Sequence, residues 1–222
     1  MKKKIKNNVA VNSEKVPYSK VACLKENKMI DLIKILPEAE KGSAKIEHYT
    51  VTEQESRMSS LRPGEYCPEG TYVVLKVNGE TVMSNTRMER NTNRNFIQEA
   101  YGNVLIAGLG IGYILSEILK KPEISSVQVV ELSSDVIHLV APSFRNLFPD
   151  KLKIDRGDIF SWFPYPEDQK YDTIYFDIWS NSCEDYRKEV KRLKQIWRPY
   201  LEKDKTKKPW IGDWNSEALK WC

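Results

Sequence analysis

Three glycines and three carboxylates carry the chemistry this chain could do. Gly108, Gly110 and Gly112 stand at alternate positions in Val104-Leu105-Ile106-Ala107-Gly108-Leu109-Gly110-Ile111-Gly112. Apolar residues lead into them, and a helical pattern from Tyr113 to Leu119 follows at once. A strand, a tight glycine turn and a helix open a nucleotide-binding α/β unit, because glycine lets backbone approach a ligand closely and the helix start offers unpaired N–H groups. Glu131 ends the apolar run Val127-Gln128-Val129-Val130. It lies about twenty residues past the turn, where an acid can accept both hydroxyls of a ribose. Asp158 follows the run Leu152 to Arg156, and Asp177 ends Tyr171-Asp172-Thr173-Ile174-Tyr175-Phe176. One such acid is more often a cap than a ligand contact. Three of them at successive strand ends, with the glycines, point to a nucleoside site.

The kind of nucleoside can be narrowed. The last place of a G-x-G-x-x-G turn counted from Gly108 is Tyr113, and a ring there holds helix and strand apart, against a dinucleotide. No Gly-Lys-Ser/Thr follows, which excludes a P-loop. Alternate glycines fit a nucleoside with an amino-acid-like tail.

Positioning these residues requires a parallel sheet. From about Asn103 the pattern alternates strand and helix, which predicts a doubly wound α/β sheet with right-handed crossovers. A helix from about Cys183 to Leu201 and a short fifth strand at Trp210–Trp214 complete it. Before it, residues 1 to about 20 read as loose, Glu26–Glu40 as a short helix, Ile46–Val51 as a strand, and Arg62-Pro63-Gly64 as a turn. Thr71–Val77 and Glu80–Ser84 flank Asn78-Gly79, a strong hairpin signal. The expected division is 1–95, a helix and β-hairpin lobe, and 96–222, the Rossmann-like domain.

The block from Asn103 to Trp179 resembles the class I S-adenosylmethionine-dependent methyltransferases, and among them the spermidine-synthase-like branch. The resembling stretches are the glycine turn, Val-Val-Glu-Leu-Ser-Ser-Asp-Val-Ile, Asp-Arg-Gly-Asp-Ile-Phe, Tyr-Asp-Thr-Ile-Tyr-Phe-Asp, and the hairpin at 71–84. The resemblance implies S-adenosylmethionine as cofactor. It implies that Gly108, Gly110 and Gly112 line the methionine part, that Glu131 and Leu132 hold the ribose side, and that Asp158 and Ile159 meet the adenine. Asp177 would lie beside the sulfonium as the catalytic acid or base. The fold implied is shortened at the C-terminus, since that core usually continues with an antiparallel pair.

Departures from the aminopropyltransferases bear on the activity. Leu109 and Ile111 replace an acid in the turn, Ser180 replaces a second acid after Asp177, and Phe96-Ile97-Gln98 replaces a Tyr-Gln pair. A dicationic polyamine needs several carboxylates to replace its water. The expected activity is therefore methyl transfer to an unidentified small-molecule acceptor, against two alternatives: aminopropyl transfer, or nucleoside binding without turnover. The polar run Ser84–Asn95 offers Asn85, Glu89 and Arg94 as acceptor contacts, with Gln98 and Trp179 beside them; a capped loop and packing are the competing readings. Trp162, Phe163 and Phe160 read as a hydrophobic cover, and His138 as a packed helix residue. Cys183 has no nearby partner in sequence.

Composition sets the outer limits. A chain of 222 residues fits one domain, or one with a small lobe. Its net charge of +4 is mild and mixed, so nucleic-acid binding is neither indicated nor excluded. The basic start, Met1 to Asn8, has no apolar run after it and does not read as a signal peptide. No stretch has the length of a membrane span. Cys23, Cys67, Cys183 and Cys222 lack metal-like spacing and fit reduced thiols in a cytoplasm. Homo-oligomerisation stays open.

Overall fold

The computed structural model describes residues 30–61, 66–179, 184–203 and 207–214. Asp31 caps a single helical turn, α1 (Leu32–Ile35), by accepting the Ile33 N–H at 3.2 Å. The helix expected to reach Glu40 stops there. Pro37 follows, and the chain is extended from Ala39 in β1 (Ala39–Lys41). The rest of that expected helix before Ile30, residues 1–20, and the turn at Arg62-Pro63-Gly64 fall outside the described residues.

β2 (Ala44–Val51) runs into α2 (Glu53–Ser60). A reciprocal capping box stops the strand: the Glu55 N–H donates to Thr52 Oγ1 at 3.3 Å, and the Thr52 N–H to Glu55 Oε2 at 2.7 Å. β3 (Gly70–Val77) and β4 (Glu80–Ser84) form the expected hairpin, with Asn78 and Gly79 at φ 52° and 82°. What reads in sequence as a hairpin lobe is a four-stranded antiparallel sheet, β1-β2-β3-β4. The polar run after it folds into two short helices, α3 (Arg87–Thr92) and α4 (Arg94–Glu99). The expected boundary at residue 95/96 lies inside α4.

The second sheet is the doubly wound one. β5 (Gly102–Ala107) leads to α5 (Tyr113–Ile118), β6 (Ile124–Glu131), α6 (Ser134–Leu147) and β7 (Leu152–Arg156). The chain then returns as β8 (Thr173–Phe176), α7 (Glu184–Trp197) and β9 (Trp210–Asp213). A 3₁₀ turn, Arg198–Tyr200, takes the last residues assigned in sequence to the helix. All four pairings are parallel, in the order β7-β6-β5-β8-β9.

β5 shows why helices lie on both faces. Val104 and Ile106 pack into a cluster with Ile114, Val136, Val140 and Phe144 of α5 and α6. Leu105 and Ala107, on the alternate face, pack with Leu193 and Trp197 of α7. The antiparallel sheet docks on α6. The Ser43 N–H and Oγ donate to Asp135 Oδ2 at 3.0 and 3.2 Å, and Ser143 Oγ donates to Ile35 O at 2.6 Å. Among the described residues no helix is long and apolar enough to cross a membrane, and no cluster of histidine, cysteine or acidic residues could hold a metal ion.

Candidate functional site

The winding direction reverses between β5 and β8, and in open α/β sheets ligands bind in the crevice that such a reversal opens at the carboxyl ends of the strands. The turn after β5 sits there, flanked by Glu131 at the end of β6 and Asp177 at the end of β8. The register fixes this, because Ala107 pairs with Val130 on one side and with Phe176 on the other.

All three turn glycines have left-handed φ, 97° at Gly108, 50° at Gly110 and 70° at Gly112. Their neighbours differ. A Cβ at Gly108 would overlap the Asp177 carbonyl oxygen, so this glycine lets the two strand ends close on each other. A Cβ at Gly112 would enter the Phe144 ring, so its bare face packs on α6. A Cβ at Gly110 would overlap the Met83 sulfur, the one neighbour of the three that is a flexible side chain.

Glu131 is half-buried beneath the turn. Its Oε2 accepts the Leu109 N–H at 2.8 Å and its Oε1 the Ser133 N–H at 2.7 Å. These bonds hold the carboxylate at the turn, the Leu132 N–H adds to them, and acceptor capacity remains for a ligand hydroxyl. Burial nonetheless raises its pKa, the N–H bonds offsetting only part of the desolvation.

Asp177 follows β8, its N–H donated to Ala107 O at 2.8 Å. Its carboxyl is pushed up to about 8, first by burial and then by the Glu89 and Glu131 carboxylates; no cation among the described residues offsets them. Glu89, on α3, is itself 7% exposed and burial pushes it up to about 7. Asn93 holds this end of α3 against the sheet. Its Nδ2 donates to the Glu89 carbonyl at 3.0 Å and to Glu89 Oε2 at 3.4 Å, and its Oδ1 accepts the Tyr175 hydroxyl at 2.8 Å. Tyr175 stacks on Phe96 of α4 at 4.2 Å between ring centres. Glu89 on an α-helix and Glu131 at the end of a strand are thus both within electrostatic reach of Asp177.

Two apolar side chains border this acidic crevice without being covered. Leu132, next to Glu131, is 68% exposed, and Ile178, next to Asp177, is 39% exposed. Ile178 also lies against Gly108.

Most other residues singled out in the sequence are engaged elsewhere or exposed. Asp158 is exposed and caps its own loop, accepting the Phe160 N–H at 3.0 Å. The Ile159 side chain is buried in the α7-side core, and its carbonyl accepts the Trp197 indole N–H at 3.2 Å. Asn85 is buried and accepts the Val73 N–H at 2.8 Å, which locks the end of β4 to β3. Arg94 and Gln98 are exposed on α4. Trp179 donates to Glu189 at 2.6 Å and meets Tyr186 edge-on, the packing arrangement. Trp162 and Phe160 cover the core as expected, whereas Phe163 is half exposed. Cys183 and Ser180 lie outside the described residues.

Sequence reasoning missed two groups. Met83 reaches the turn from the hairpin, and its sulfur accepts the Ile111 N–H at 3.4 Å. Asp213, at the end of β9, is buried and binds Lys194 Nζ at 2.5 Å and the Tyr186 hydroxyl, tying α7 to the sheet edge beside the site. Methionine carries no sequence signal for such a contact. Asp213, by contrast, ends an apolar run just as Asp177 does, and that pattern could have found it.

No protein-family model matches the chain, and no curated protein matches it. Among solved structures it is similar to spermidine synthase from Thermotoga maritima, with 16% identity, 75% of this chain and 53% of that one covered, and a TM-score of 0.46. It is similar to an S-adenosylmethionine-dependent methyltransferase from Clostridium acetobutylicum, with 16% identity, coverage of 52% and 46%, and a TM-score of 0.37. It is also similar to the N-methyltransferase NodS from Bradyrhizobium japonicum in complex with S-adenosyl-l-homocysteine, with 12% identity, coverage of 52% and 57%, and a TM-score of 0.40. The chain spans about half the length of the solved structures it matches.

Proposed function

We propose that the crevice between β5 and β8 binds S-adenosylmethionine and that the chain is a transferase, a methyltransferase acting on a small acceptor. The observation that carries this reading is the uncompensated acidity of the site. Burial raises the pKa of all three acids, Glu89 and Glu131 raise that of Asp177 further, and no cation among the described residues offsets Asp177. A ligand with a positive centre relieves that strain, whereas a phosphate adds to it.

The residues present fit this ligand. Glu131 has acceptor capacity left for the ribose. Leu132 and Ile178 offer apolar cover on either side of the turn. Asp158 and Ile159, engaged as cap and core, contribute little beyond backbone. When bound, the group supplies an already activated carbon for transfer. The chain's share is to align and to manage the proton. Asp177, ionised once a positive centre is bound beside it, is the group that would take a proton from an acceptor within hydrogen-bond reach.

One observation favours aminopropyl transfer as a second reading: Glu89 supplies a second buried acid near Asp177, although Leu109, Ile111 and Ser180 stand where the aminopropyltransferases carry acids. Thermal shift with S-adenosylmethionine, S-adenosylhomocysteine, NAD and ATP tests the nucleoside assignment. The first two should raise the melting temperature, by about 2.7 kcal/mol of stabilisation at a hundredfold excess over Kd. A shift with NAD alone refutes the reading. A product assay with both ordinary and decarboxylated cofactor separates the two transfers.

A further inference from the structure

The turn that would receive the ligand is already in contact with a side chain of the same molecule. Met83 projects from β4, opposite Leu75, and is half-buried against the core. Its sulfur takes the Ile111 N–H, and its Sδ, Cε and Cγ fill the space over Gly110. The strand order places this spot on the line from Glu131 to Asp177. A nucleoside whose ribose sits at Glu131 and whose sulfur lies toward Asp177 must carry any further substituent past Gly110.

We infer that Met83 is a specificity-determining residue that competes with the amino-acid tail of an adenosine-based ligand for the turn. The inference rests on the nucleoside reading above. A thioether without the tail binds the chain as it stands, whereas a tailed ligand binds only after Met83 has turned away. The chemistry permits that exchange. Methionine has three rotatable bonds and adapts its path, and its thioether is a weak acceptor, so the Ile111 N–H can donate to a carboxylate oxygen in its place. The apparent affinity for tailed ligands, and for no others, is then the intrinsic affinity multiplied by the fraction of molecules with Met83 withdrawn.

The test is calorimetric binding of 5′-methylthioadenosine and S-adenosylhomocysteine to wild type, Met83→Leu and Met83→Ala. In Met83→Ala the tailed ligand should gain about tenfold or more over the tail-less one, the gain expected if Met83 is withdrawn in about a tenth of molecules. Met83→Leu keeps the bulk and should keep the wild-type ratio. Both ligands binding with an unchanged ratio in Met83→Ala overturns the inference and leaves the nucleoside reading standing. Binding of neither ligand to any variant overturns both. If Met83→Ala does not fold, methyl NMR of wild type decides. The Met83 methyl signal should move with S-adenosylhomocysteine and stay with 5′-methylthioadenosine; equal movement with both overturns the inference.

Discussion

The carboxyl of Asp177 makes ligand charge measurable through pH. In the free chain it titrates at about 8, raised first by burial and then by Glu89 and Glu131. A sulfonium beside it favours the ionised form, so binding must release the proton the carboxyl still holds. The ionised fraction is about one in a hundred at pH 6 and about one in eleven at pH 7. Affinity for S-adenosylmethionine should therefore rise roughly tenfold per unit from pH 6 to near 8 and then level off, with about 0.9 proton released at pH 7. Calorimetry in buffers of different ionisation enthalpy reads that proton directly. S-adenosylhomocysteine, whose sulfur is neutral, should show a much weaker slope. Asp177→Asn should abolish the slope and lower turnover by about 10²–10⁴. Glu89→Gln should move the midpoint of the slope downward, because it removes a neighbouring negative charge. Stability gives an independent check. In the unfolded chain the group ionises near 3.8, whereas in the fold it stays protonated to about 8. The folded state binds more protons between these values, so this group's contribution to stability falls as pH rises through that window. The melting temperature of Asp177→Asn should thus gain on wild type progressively from pH 5 to 8. A wild-type affinity for S-adenosylmethionine that is flat from pH 6 to 8 would refute the reasoning.

Other expectations follow from single contacts. Glu131→Gln should weaken S-adenosylmethionine about tenfold or more by calorimetry, since charge-assisted bonds are worth roughly 1.5–3 kcal/mol. It should also lower the melting temperature, because an amide nitrogen cannot accept one of the two backbone N–H groups the carboxylate now accepts. Gly112→Ala should destabilise by about 1–3 kcal/mol or more in urea, with a Cβ driven into the Phe144 ring at left-handed φ, whereas Gly110→Ala should cost less because Met83 can move. Lys194→Met removes the ammonium that binds buried Asp213 and should cost about 1–3 kcal/mol in the same assay.

The parallel sheet was legible because its strands are buried on both faces and read as unbroken apolar runs, each closed by an acid or a glycine. The hairpin was legible because Asn78-Gly79 supplies both left-handed residues its turn needs. β1 was not, because its three residues are exposed and carry no alternation. Among the site residues, Glu131, Asp177 and Glu89 are brought together, and the first two announced themselves by ending strands. Asp158 shows the limit of that rule, for an acid after a strand serves equally well as a loop cap. Ile159 and Trp179 show another: an apolar side chain beside a site can face the opposite side of the sheet. The glycines illustrate a third. Their conformations were required by the turn, but which atom presses on each comes from a partner 27 to 69 positions away, distant pairings that local pattern does not contain: 110 to 83, 112 to 144, 108 to 177.

Charge also decides between ligands that the fold alone would admit. The start of a helix attracts anions, and many nucleotides meet such a sheet through their phosphates. Here α5 has only six residues, and its N-cap is Gly112, without a side-chain cap. A helix end contributes about 0.3–1 kcal/mol toward an anion. Against it stand Glu131 on one side of the turn and Asp177 on the other. Two unit charges 4 Å apart interact by about 4 kcal/mol at an effective dielectric of 20, so each nearby carboxylate outweighs the helix end. For a phosphate the carboxylates would have to protonate or withdraw; for a sulfonium they need only ionise. ATP should accordingly leave the melting temperature unchanged near pH 8, where the acids are most ionised, under conditions in which S-adenosylmethionine raises it. A stabilisation by ATP that grows with pH would mean that the acids face away from the crevice.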